Sequence, residues 1–150
     1  MYRGVVAVVV CAFAIASLAA GCGSGDESLT KAEFIERGDA ICAKAESRKN
    51  AVLEAAFLKQ SESKKPLDRA AELKLVTTVA LPPIVQMTDR LAALEPPSEE
   101  EDKARAIVEA YEEGIAGVES DPSSVLGGAN PFAEADELAE EFGFEACSEI

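Results

Sequence analysis

From Leu29 onward the apolar residues recur at the three- and four-residue steps of an amphipathic helix. In the first run Phe34, Gly38, Ile41, Ala45, Val52 and Ala56 form a stripe, and Ile35, Cys42, Leu53 and Phe57 widen it. Its start is marked twice. Thr30 and Glu33 stand at the spacing of a capping box, and Leu29 and Phe34 occupy the two positions of a hydrophobic staple. Ser61 to Lys65 is polar and leads into Pro66, which predicts a turn and a new helix start. Leu67, Ala70, Ala71, Leu75, Thr78 and Val79 then predict a second helix to about Ala80. Leu81-Pro82-Pro83 interrupts it, because proline lacks the amide hydrogen and biases its predecessor away from helical angles. Ile84, Met87, Leu91 and Leu94 resume the pattern. The expectation is two helices meeting at a sharp kink, with one bent helix as the alternative.

Glu95-Pro96-Pro97 is a second break, after which Ser98 and Glu101 have capping-box spacing and the acids 99 to 102 suit the positive end of a helix dipole. That cluster lacks the alternating Asp and the turn glycine of a calcium loop. Ala104, Ile107, Val108, Tyr111, Ile115 and Val118 give the next stripe, with Gly114 and Gly117 either permitting close packing or weakening the helix. Residues 119–129 read as a long loop with a short turn begun by Asp121-Pro122. Asn130 and Pro131 open a last helix carrying Phe132, Ala135, Leu138, Ala139 and Phe142 inward. Gly143 suits the left-handed position that ends it. Phe144 can pack after that turn, and Cys147 lies so close to the end of the sequence that a covalent bond alone is expected to pin it. The predicted fold class is therefore all-α, a small bundle of four to five helices over residues 30–150.

The first 28 residues have a different character. Met1-Tyr2-Arg3 carries one positive charge and precedes an apolar run from Val5 to Ala20 broken only by Ser17, the pattern of a signal-peptide core. The run is short for a span that needs about 20 residues, and small residues follow it where a stop-transfer anchor would carry Lys or Arg. Residues 1–21 are read as removed. Ala19-Ala20-Gly21-Cys22 resembles a bacterial lipobox, with Ala19 departing from the usual aliphatic residue and Leu18 one place early. That resemblance implies that Cys22 receives a diacylglyceryl thioether and becomes the first residue; a chance cysteine at a plain secretory cleavage site is the alternative. Two or three acyl chains, at about 0.8 kcal/mol per buried methylene, hold a protein stably at a membrane. Residues 22–29, with two glycines and no apolar residue from Gly23 to Ser28, would form a flexible tether. The expected address is the outer face of the cytoplasmic membrane.

Charge narrows the partners. The full sequence has 14 basic and 28 acidic residues, and removal of residues 1–21 takes away only Arg3 among them. So acidic a body is repelled by nucleic acid and by anionic phospholipid or wall polymers, and no nucleic acid is expected among the partners. The chain has no His, which excludes Ser-His-Asp and Cys-His catalysis, His-ligated zinc or haem, and His-containing di-iron sites. No cofactor or metal is expected. Of the four cysteines, Cys11 leaves with the signal peptide and Cys22 is consumed by lipid, which leaves Cys42 and Cys147. In an oxidising compartment a structural disulfide is the economical reading. A redox-active pair is the alternative, against which stands the absence of Cys-x-x-Cys spacing.

Lys31-Ala32-Glu33-Phe34-Ile35 with Asp39-Ala40-Ile41-Cys42, the middle Leu81-Pro82-Pro83, and the closing Phe142-Gly143-Phe144-Glu145-Ala146-Cys147 resemble a group of small secreted or lipid-anchored helical proteins of actinobacterial type. The resemblance covers most of the chain after Cys22, supports the fold and the Cys42 to Cys147 pairing, and implies no catalytic residue. The leading functional expectation is a non-enzymatic binding or interaction module presented to an envelope protein, peptide or wall component. Its candidate surfaces are the 119–129 loop and the Pro82-Pro83 kink. An envelope-polymer hydrolase is a second reading, but Glu112-Glu113 and Glu140-Glu141 are sequence neighbours that point about 100° apart on a helix, unlike the facing carboxyls of a glycosidase. A small-ligand carrier is the third.

Overall fold

The computed structural model describes residues 29–63 and 66–150, so the signal-peptide core, Cys22 and nearly all of the tether lie outside the described residues. The fold is all-α, with no strand among the described residues. Helix α1 spans Lys31–Ser63, α2 Arg69–Leu75, α3 Leu81–Ala92, α4 Glu101–Ser120, α5 Ser123–Leu126 and α6 Ala133–Phe142. Helix α1 packs on α3, α3 on α4, and α4 on α6, closing a bundle around one core.

Local chemistry explains the start of α1. The Thr30 amide donates to Glu33 Oε2 at 2.9 Å and the Glu33 amide to Thr30 Oγ1 at 3.3 Å, which forms the expected capping box. The Thr30 hydroxyl and amide together hold the Glu33 carboxyl below its ordinary pKa. Phe34, Gly38, Cys42 and Ala45 are buried, but the stripe fades further along. Phe57, expected inside, is 55% exposed beside Leu58 at 61%. At about 1.5 Å per residue the helix is roughly 50 Å long, and its second half outruns the bundle.

Helix α1 continues through Ser63, into the polar stretch expected to turn, with the Ser61 and Ser63 hydroxyls donating to the carbonyls of Leu58 and Gln60. Helix α2 starts later than Pro66 predicts. Its cap is Asp68, whose carboxylate accepts from the Ala71 amide at 2.8 Å.

The Pro82-Pro83 break is also absent. Helices α2 and α3 form one path through a π-helical turn at Val76–Ala80, in which the Leu81 amide donates to the Val76 carbonyl five residues back. The bent-helix alternative is therefore the correct one. The prolines occupy the first turn of α3, where missing amides cost least, and the wider π turn gives their rings room. Thr77 and Thr78 supply hydroxyl donors to the carbonyls of Leu73 and Lys74 just upstream.

The Ser98 capping box does not form. Ser98–Glu100 is a 3-10 turn, and α4 begins with no side-chain cap. Glu101 instead pairs with Arg105 at 3.1 Å, and Glu100 takes Lys103 and Lys31 at 2.9 and 3.1 Å. These two lysines, Lys103 foremost, hold the Glu100 carboxyl below its ordinary pKa. Asn130 Oδ1 accepts from the Phe132 amide at 3.0 Å, but Pro131 is not the first residue of the helix: α6 starts two residues later, at Ala133. Gly143 ends α6 in the left-handed region at φ 111°, as its sequence position predicts.

Candidate functional site

Cys42 and Cys147 are disulfide-bonded, with Cα atoms 5.1 Å apart and a sequence separation of 105. Both are fully buried. The covalent bond has non-covalent company that the sequence pattern does not announce. Asp39, one turn before Cys42, accepts from the amides of Glu145 and Ala146 at 3.0 and 2.8 Å. Phe144 stacks on Phe142 with ring centres 5.1 Å apart and lies against Gly38, where a Cβ would stand 2.3 Å from its Cε1. Buried Tyr111 donates its hydroxyl to the carbonyl of Cys147. The tail is thus laid down on α1 and α4 by several independent contacts. Periodicity carries no signal of those made to Asp39, Gly38 and Tyr111, because each joins groups more than 30 residues apart.

Burial raises the Tyr111 phenol above its ordinary pKa of 10, and the nearby Asp136 charge adds to the rise. The Tyr111 contribution to stability should therefore be level below about pH 10 and fall above it, as the unfolded chain releases a proton that the native state retains. Tyr111→Phe is expected to abolish that alkaline loss. At neutral pH it should cost about 1–3 kcal/mol, because a buried carbonyl loses its donor. Urea midpoints of both proteins at pH 7 and, above the onset of tyrosine ionisation, at about pH 10.5 check this, and parallel losses in the two would refute it.

The tail leads to an apolar concavity beside the loops. A cavity of about 260 Å³ opens between the π turn, the start of α3, the end of α4 and the 119–132 connection, with Val76, Leu81, Val118, Val125 and Phe132 among its walls and Ile150 and Lys49 at one side. A second cavity of about 250 Å³ adjoins it across the shared residues Val76 and Ala80, lined by Leu53, Phe57, Leu67, Leu75 and Leu126 and by one acid, Glu72. Together they make an apolar trough along α2 and the π turn. The two stretches that the sequence marks out, the 119–129 loop and the Pro82-Pro83 region, meet here. The loop contributes through α5, which Asp121 organises by accepting from the Ser123 amide at 3.1 Å. The π turn, rather than the prolines themselves, supplies the opposite wall.

Phe132 reaches its place because α4 has a glycine under it. A Cβ on Gly114 would lie 2.6 Å from both Phe132 Cδ1 and the Pro131 carbonyl oxygen. The ring therefore settles onto the backbone of α4 and forms part of the cavity wall. Lys49 is the only residue with an ionisable side chain that lines the first cavity among the described residues, and its ammonium donates to the Ile150 main-chain oxygen at 2.6 Å.

The acid pairs are elsewhere. Glu112, Glu113, Glu140 and Glu141 are all exposed, and they line neither apolar cavity. Among the described residues no group of three or more His, Cys, Asp and Glu side chains is placed to hold a metal ion, and no helix is long and apolar enough to cross a membrane. Comparison of the chain with protein-family profiles, with curated proteins and with solved structures finds no match in any of the three.

Proposed function

We propose that the protein is a non-enzymatic binding module, tethered through a lipidated Cys22 to the outer face of the cytoplasmic membrane, which takes an apolar group of a small ligand or envelope component into the trough beside α2. The observation that carries this reading is the cavity of about 260 Å³ with almost wholly apolar walls, set where the loop and the π turn meet. An engineered apolar cavity of about 150 Å³ already admits benzene, so this one has room for a larger group. Small-molecule sites share this character, apolar walls with a few placed polar groups. The exposed positions of the acid pairs support binding over hydrolysis, since glycoside cleavage needs two carboxyls facing each other across a cleft. The anchor reading rests on the Gly21-Cys22 end of the signal-like segment and its resemblance to a lipobox.

Calorimetric titration of the protein with decan-1-ol tests the site. One molecule is expected to bind per chain, and Val125→Trp, which puts an indole in place of a wall residue, should weaken binding by about tenfold or more, equivalent to about 1.4 kcal/mol. Absence of saturable binding, or an affinity indifferent to Val125→Trp in a folded variant, refutes the site. In parallel, Cys22→Ala should move the protein from the membrane fraction to the soluble one, and a variant that stays on the membrane refutes the anchor.

A further inference from the structure

We infer that the trough selects an anionic amphiphile, a single apolar chain ending in a carboxylate, and that Lys49 is the residue that reads the head group; this rests on the proposal that the trough is a ligand site. Ala45, Lys49, Leu53 and Phe57 follow one another at four-residue steps and so share one face of α1. Ala45 is buried in the core, and Leu53 and Phe57 line the second cavity. Lys49 alone breaks this apolar row, at the wall of the first cavity.

Lys49 already has one partner, held at short range. The ammonium donates to one main-chain oxygen, that of Ile150 at 2.6 Å, and among the described residues no Asp or Glu side chain forms an ion pair with it. An ammonium has three donors, so capacity remains for a second oxygen or for exchange of the Ile150 oxygen against an incoming one. Among the described residues no Asp or Glu side chain lines the first cavity, the one that Lys49 borders, and Glu72 lines the second, although acids outnumber bases two to one in the chain, 28 to 14. The acidic body repels an anion at long range, and salt screens that repulsion within about 10 Å. At contact, against apolar walls, a charge-assisted hydrogen bond is stronger than in water. Lys49 is thus the one local feature that would favour a carboxylate over a neutral head of the same chain length.

The test compares decanoate with decan-1-ol at pH 7 on the full chain, by competition against a fluorescent fatty-acid probe. The wild type should prefer decanoate by about tenfold. Lys49→Met, which keeps the aliphatic stem, should bring the ratio to about one by weakening decanoate more than the alcohol, whereas Lys49→Arg should retain the preference. A wild-type ratio near one, or a preference that survives in Lys49→Met, overturns the inference. If Lys49→Met binds neither ligand, Lys49→Arg decides: a retained preference supports the inference and a lost one overturns it. Failure of the wild type to bind either ligand removes the site and this inference together. Equal binding of both removes this inference alone.

Discussion

Replacing Cys42 and Cys147 together by alanine is expected to lower the stability of the bundle by about 4–5 kcal/mol, the largest effect of any change away from the apolar trough. The bond closes a loop with a sequence separation of 105 residues. In the chain-entropy treatment a loop of about 100 residues removes about 4.7 kcal/mol worth of freedom from the unfolded state, while calorimetric accounts place part of the effect in enthalpy and solvation. The non-covalent ties on the native side are untouched by the substitution: Asp39 still accepts from the Glu145 and Ala146 amides, and Phe144 still lies on Gly38. The native tail should therefore stay in place, and the loss should come from a more open denatured chain. Two readouts separate these contributions. The urea midpoint should fall, and the slope of free energy against urea should steepen because more surface is exposed on unfolding. Single domains have only about 5–15 kcal/mol in total, so the variant would be marginal at body temperature. A loss below about 1 kcal/mol would mean that the non-covalent contacts hold the tail in the denatured chain as well, and that the bond adds little to them.

What can be read in the sequence is whatever a few neighbouring residues decide among themselves. Thr30 and Glu33 satisfy each other within one turn, and Gly143 meets a backbone demand that no other nearby residue would meet without strain. The periodic stripes locate the core helices for the same reason, since burial of a face is written in its spacing. The Cys42 to Cys147 bond is legible by counting cysteines and by the resemblance of the segments around them. The misreadings share a cause as well. Ser98 has the right spacing for a cap, but Glu101 is drawn to Arg105 and the turn tightens to 3-10 geometry. Pro82-Pro83 obey the rule that proline cannot donate, yet the chain meets it by widening one turn rather than by breaking.

The trough is half legible. Turn-forming residues mark each of its two walls, but their meeting depends on how α4 carries the 119–132 connection back over the π turn, and that is a property of the bundle. Lys49 gives no local signal, because a lysine on a long helix normally reads as a solvated position. Only the Ile150 contact and the lining of the cavity set it apart. Phe57 shows the converse: a residue that spacing assigns to the core stands half exposed, because the helix that carries it extends past its partners. It borders the second cavity instead.

Two glycines one turn apart on α4 should respond to alanine with opposite signs. At Gly114 the added methyl would sit 2.6 Å from the Phe132 ring and 2.6 Å from the Pro131 carbonyl oxygen. The ring is buried and the oxygen belongs to the backbone, so neither yields without moving the start of α6. Overpacking of this kind costs about 1–3 kcal/mol, and sometimes more, against a gain of about 1 kcal/mol from replacing a mid-helix glycine. At Gly117 nothing lies within 4 Å of the added methyl, so only the gain applies. Gly117→Ala should raise the melting temperature by a few degrees, in keeping with about 0.5–1 kcal/mol, and Gly114→Ala should lower it. The pair controls for helix propensity, and their difference of about 1–3 kcal/mol measures the close approach alone. Because Phe132 forms a cavity wall, Gly114→Ala should also change decan-1-ol affinity while Gly117→Ala leaves it as it is. Equal thermal responses would mean that α6 does not rest on the backbone of α4, and the cavity wall built on that contact would fall with it.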